Sequence, residues 1–127
     1  MVRRVDRTGR SKGDGRFITI PHEVLKSPGY LSTHPPARAV LFELVMLYNG
    51  SNNSQLGLSV RRAAERCQIS KDTAAIAITQ LEDAGLIERV NKGSFTQRNR
   101  KASEYRILWK RCDFTDALPR PNYRDER

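Results

Sequence analysis

Apolar positions along this chain follow two periods, and the change from one to the other lays out the elements. Val40, Leu41, Leu44, Val45 and Tyr48 recur three and four residues apart, as on one stripe of an α-helix. Ser32 or Thr33 is placed to cap that helix, Pro35 and Pro36 suit its first turn, and Asn49-Gly50 stops it. Its other side carries Phe42 and Met46, so the helix is apolar most of the way round and needs a central position or a partner chain. Ser59 caps a second helix running to about Gln68, with Val60, Ala63, Ala64 and Cys67 inward and Arg61, Arg62 and Arg66 outward. Ser70 opens a third, which runs to Ala84 with Ala74, Ala77, Ile78 and Leu81 on its inward stripe. Gly85 then stands at the C′ position, with Leu86 as the hydrophobic contact that follows it.

After Gly85 the pattern changes to that of strands. Leu86 to Val90 and Glu104 to Lys110 are predicted strands joined by the stretch Asn91 to Ala102, and Tyr105, Ile107 and Trp109 share one face of the second. Phe17 to Ile20 reads as a short strand ending at Pro21, which with Val24 and Leu25 opens a single helical turn. Ser51-Asn52-Asn53-Ser54 is a turn cluster, and Gln55 to Leu58 allows only a brief strand. Residues 1–16 have almost nothing to bury and are expected to form a flexible arm, while residues 112–127 are expected to form a polar tail. That leaves a domain over residues 17–111, mainly α with a small β-hairpin, in the α+β class.

Charge changes the picture more than composition does. The 127 residues carry a net charge of +9, but it is segregated. Residues 1–16 hold six basic and two acidic groups, residues 17–87 six of each, residues 88–111 eight and two, and residues 112–127 three and four. A neutral apolar middle flanked by basic segments points to a polyanionic partner, and duplex DNA with its closely spaced phosphates is the commonest. No apolar run is long enough to cross a membrane, and no apolar stretch follows the N-terminal arginines as a secretory signal requires. Two cysteines, Cys67 and Cys112, are too few for a disulfide framework and fit a cytoplasmic, nucleoid-associated location.

Two short helices separated by Gln68-Ile69, with a hairpin of basic tip directly after them, make a winged helix-turn-helix. The run Ser70-Lys71-Asp72-Thr73-Ala74-Ala75-Ile76-Ala77-Ile78-Thr79-Gln80-Leu81-Glu82-Asp83-Ala84-Gly85-Leu86-Ile87 resembles the recognition-helix signature of bacterial regulators of the GntR type. Leu58 to Cys67 is similar to the helix that precedes it in that family, with Ala64 as the small inward residue. Over residues 30–110 the chain resembles small winged-helix proteins of bacterial mobile elements and phages. The resemblance implies a recognition helix in the major groove and a wing on the backbone or minor groove. The similar regulators commonly carry Arg where Ala75 or Ile76 stands, so Arg61, Arg62 and the wing have to compensate here. Gln68 replaces the Gly usual in the turn, at some cost if its φ is positive.

The residues support the same assignment on physical grounds. A capped helix N-terminus offers backbone N–H groups and a positive dipole end to a phosphate, and side chains of its first two turns reach base edges. On that helix the outward candidates are Ser70, Lys71, Thr73, Ala75, Ile76, Thr79 and Gln80, with Ser59, Arg61 and Arg62 on the helix before. Lys92, Arg98, Asn99, Arg100 and Lys101 form the basic wing, and Arg3, Arg4 and Arg7 of the arm are placed to trail along an adjacent groove. His22 and His34 are isolated, and no HExxH, phosphate-binding glycine loop or Ser-x-x-Lys arrangement occurs, so neither catalysis nor a cofactor nor a metal is expected. The expected function is sequence-specific binding of double-stranded DNA as a bacterial or phage transcriptional regulator, by a homodimer formed through Phe42 and Met46. The alternatives are a replication or partition factor that binds origin repeats and a winged-helix adaptor that binds protein. No small-molecule effector is specified.

Overall fold

The computed structural model describes residues 15–91, 94–95, 100–110 and 119. Two single-turn helices, α1 (His22–Leu25) and α2 (Pro28–Leu31), lead into the long α3 (Pro35–Leu47). The strand β1 (Leu56–Gly57) precedes α4 (Val60–Cys67) and α5 (Lys71–Asp83), and β2 (Ile87–Asn91), β3 (Ser94–Phe95), β4 (Arg100–Lys101) and β5 (Glu104–Ile107) complete the described chain. The fold is thus α+β, with a three-stranded antiparallel sheet in the order β1-β5-β2 and a separate β3-β4 pair further out on the hairpin.

One core joins the helices to the sheet. Val40, Leu41, Leu44 and Val45 of α3 meet Ala74, Ala77, Ile78 and Leu81 of α5, while Ala63 and Ala64 of α4, Leu56, Ile87, Tyr105 and Ile107 close the cluster. Each fully buried Leu or Ile stabilises the fold by about 1.5–3 kcal/mol relative to exposure. The alanines at 63, 64, 74 and 77 are small enough for α4 and α5 to lie close to their neighbours. Arg66 Nε, 2.7 Å from Glu43 Oε1, adds a polar tie between α4 and α3.

The helix ends follow capping chemistry. Gln68 closes α4 with φ +56°, in the left-handed region, and Ile69 N–H donates back to the Ala64 carbonyl at 3.0 Å. The strain attached to a non-glycine residue here is therefore present. At the end of α5, Gly85 has φ +75° and its N–H reaches the Glu82 carbonyl, while Leu86 N–H reaches that of Leu81. These two bonds make the Schellman closure that the Gly85-Leu86 pair predicts.

Several expectations are corrected. Neither Ser32 nor Thr33 caps α3. Their hydroxyls turn back to the Gly29 and Tyr30 carbonyls to end α2, and His34 takes the N-cap position without a side-chain bond. With proline at the first two helical positions, the first N–H of the helix is that of Ala37, and it donates to the His34 carbonyl at 3.0 Å. Residues 17–20 form no strand: they run past the C-terminal end of α3, in a groove shared with Val45, Tyr48 and Lys110. The helix α2, capped by Ser27 on Tyr30 N–H with Pro28 at its first position, was not expected, although Ser-Pro is a helix-start signal. The last strand stops at Ile107 and turns, because Asn53 takes over its edge.

Asn53 is fully buried in the turn between α3 and β1. Its Oδ1 accepts from Ile107 N–H at 2.7 Å, and its Nδ2 donates to the carbonyls of Ile107 at 3.1 Å and Lys110 at 3.3 Å. The side-chain amide thus replaces the next residue of a neighbouring strand, where β1 has run out. Asn53→Ala should cost about 2–4 kcal/mol, because it leaves the buried Ile107 N–H without a partner and removes the amide's bonds to the Ile107 and Lys110 carbonyls. Urea denaturation checks this, and a loss below about 0.5 kcal/mol would contradict it.

Candidate nucleic-acid interface

The centre of the site is α5, held by α3 behind it and joined to α4 by the three residues Gln68, Ile69 and Ser70. Ser70 Oγ accepts from Thr73 N–H at 3.1 Å and donates to Thr73 Oγ1 at 2.8 Å, so the cap is closed in both directions. Burial of Ala74, Ala77, Ile78 and Leu81 turns Lys71, Asp72, Ala75, Ile76 and Thr79 to solvent, and Ile76 is 60% exposed. Ser59 caps α4 in the same way, accepting from Arg62 N–H at 3.0 Å, and leaves Arg61 and Arg62 exposed in the first turn of that helix.

Not every expected reader is free. Gln80 is drawn toward the start of α3: its Oε1 accepts from His34 N–H at 3.1 Å and its Nε2 lies 3.2 Å from His34 Nδ1. This corrects the outward placement of Gln80 and gives His34 a partner 46 residues away, which no local signal in the sequence marks. Thr73 is half-buried with its hydroxyl in the cap. The Thr79 hydroxyl donates to the Ala75 carbonyl at 3.1 Å. Arg61 faces Glu65 at 3.3 Å, with both side chains largely in water, so the pair is weak and yields readily to a phosphate.

Between α5 and β2 lies an open groove lined by Thr79, Glu82, Asp83, Arg89 and Val90. Arg89 was not singled out by its position in the sequence. It bonds Glu82 at 3.0 Å and lies 5.6 Å from the centre of the Tyr105 ring, which fixes the start of the hairpin against the end of α5. A bulge between Arg89 and Asn91 leaves Val90 exposed and alters the twist where the hairpin departs. Beyond it, the backbone of Arg100 and Lys101 pairs with that of Phe95 and Ser94. Lys92, Arg98 and Asn99, like Arg3, Arg4 and Arg7, lie outside the described residues.

No protein family, curated protein or solved structure matches this chain.

Titratable groups add little chemistry. Burial, and then the charge of Glu43, pushes the Cys67 thiol up, which disfavours the reactive thiolate. Burial likewise raises the Tyr105 phenol above its ordinary value, and the Glu43 hydrogen bond raises Arg66. Among the described residues no group of His, Cys, Asp and Glu is arranged to hold a metal ion, and no helix is long and apolar enough to cross a membrane.

The Gln80–His34 contact makes a direct prediction. Gln80→Ala should lower stability by about 1 kcal/mol, and adding His34→Ala should cost little more, since the side-chain bond to the His34 ring is already gone. Chemical denaturation of the two single variants and the double variant measures the coupling. Fully additive losses would mean that the side chains do not work as a pair.

Proposed function

We propose that this chain is a winged helix-turn-helix protein of the kind found in GntR-type regulators, mobile elements and phages, and that it binds double-stranded DNA as a sequence-specific transcriptional regulator. One observation carries the reading: a doubly capped α4-turn-α5 unit turns an exposed helix face toward the side from which a hairpin segment of net charge +6 departs. The element order α3-β1-α4-α5-β2-β5, with β5 between β1 and β2 in the sheet, supports it, because a helix-turn-helix followed by a two-stranded wing has this order.

In this reading α5 enters the major groove. Arg61 and Arg62 reach phosphates from α4, and the hairpin bearing Lys92, Arg98, Arg100 and Lys101 lies along the backbone or minor groove. Asp72, exposed in the first turn of α5, disfavours a phosphate directly at that helix end, so the arginines and the hairpin carry the backbone contacts. Phe42, 43% exposed, and Met46, 49% exposed, are four residues apart on α3 and favour a homodimer, whose symmetry would call for two-fold related half-sites. Action on DNA implies a cytoplasmic, nucleoid-associated protein.

About five to eight phosphate contacts give a log–log salt slope of about −4 to −7 for duplex binding, measured by fluorescence anisotropy. Arg61→Ala with Arg62→Ala should flatten the slope by about two units and weaken cognate and random duplexes alike. A slope near zero, or no binding to any duplex, would overturn the proposal.

A further inference from the structure

We propose that α5 reads the C5-methyl groups of thymine in the major groove, with Ile76 as the contact residue; the inference rests on the DNA-binding reading above. Four base edges line that groove, and three of them offer only hydrogen-bond donors and acceptors, whereas thymine adds an apolar methyl. A helix that reads hydrogen-bonding edges needs donors and acceptors left free by the fold. On α5 Lys71 and Asp72 keep exposed polar ends in the first turn, but further along the helix the candidates are engaged: Thr73 Oγ1 accepts from Ser70 Oγ at 2.8 Å, Thr79 Oγ1 donates to the Ala75 carbonyl at 3.1 Å, and the Gln80 amide holds His34.

What α5 presents at the middle of its exposed face is therefore apolar, with Ala75 and Ile76 side by side in sequence and both exposed. Ile76 leaves 60% of its surface in water while inward Ile78, two residues on, is 1% exposed. Charge complementarity selects the occupant of this face. Lys71 stands on it beside Asp72, α4 carries exposed Arg61 and Arg62 in its first turn, Arg61 paired with Glu65, and the sequence that follows β2 is strongly basic, so the net charge favours a polyanion over an apolar protein surface. An apolar contact inside a basic frame matches a thymine methyl between two phosphate strands.

The test uses the full chain. A duplex is selected from a random-sequence library by repeated rounds of binding, and each thymine of the selected duplex is replaced singly by deoxyuridine, which removes only the methyl. Burial of one methyl corresponds to about fourfold in affinity. Expected are losses of about that size at one or two thymines for the unaltered protein, and no loss at the same positions for Ile76→Ala. Because Ile76 is exposed and alanine is the better helix former, that variant keeps the fold. If deoxyuridine is tolerated at every position, methyl reading is wrong while DNA binding stands. If the loss persists unchanged in Ile76→Ala, the contact is not Ile76. Failure of any duplex to bind would instead overturn the DNA reading itself.

Discussion

The amide of Asn53 is the interaction on which the arrangement of this fold most depends. It stands where β1, only two residues long, no longer offers a partner to β5, and it satisfies both backbone groups of Ile107 from a turn at the end of α3. The turn is itself set for this. Asn52 Nδ2 caps the Leu47 carbonyl, its Oδ1 accepts from Asn49 N–H, and Gly50 and Ser54 adopt positive φ, which brings Asn53 inward. The side chain therefore fixes α3, the support of α5, to β5, the return strand of the hairpin. The helix support and the hairpin are held in one frame through the buried, fully bonded amide of Asn53.

A second constraint is the division of α5 into two faces. Small and branched residues at 74, 77, 78 and 81 bury one face against α3 and the core, which leaves the other to solvent. The caps at Ser59 and Ser70 then set where α4 and α5 begin, and the left-handed Gln68 sets the turn between them. Gln68 adopts a conformation that glycine takes at lower cost, so the turn is held by its surroundings, with Ile69 packed on the core. The exposed face is thus precise in position, with polar ends at Lys71 and Asp72 in its first turn and apolar Ala75 and Ile76 at its middle.

Elements whose cause is local were legible in the sequence. The stripes of α3, α4 and α5, the serine caps of α4 and α5 and the Gly85-Leu86 closure all arise within a few residues, and the structure agrees with each, whereas the cap of α3 fell to His34. Elements whose cause is distant were not. Asn53 belongs to a polar cluster that reads as a plain turn, and its partners lie 54 and 57 residues away. Gln80 reads as an outward helix position, yet the start of α3 claims its amide. Residues 17–20 have the composition of a strand but pair with none of the described strands. For the candidate site, periodicity identified which face of α5 is exposed, while the number of side chains on it still free to bond required the tertiary contacts.

The central claim is that the α5 face and its basic flanks, rather than the apolar side of α3, meet DNA. Backbone amide shifts of the isotope-labelled protein, followed during titration with a duplex, test it most directly. The account predicts that shifts concentrate at Arg61, Arg62, Lys71 to Thr79 and the hairpin from Glu88 to Lys101, with Phe42 to Leu47 unchanged by DNA at constant protein concentration. Shifts centred on Phe42 to Leu47, with Lys71 to Thr79 unmoved, would contradict it.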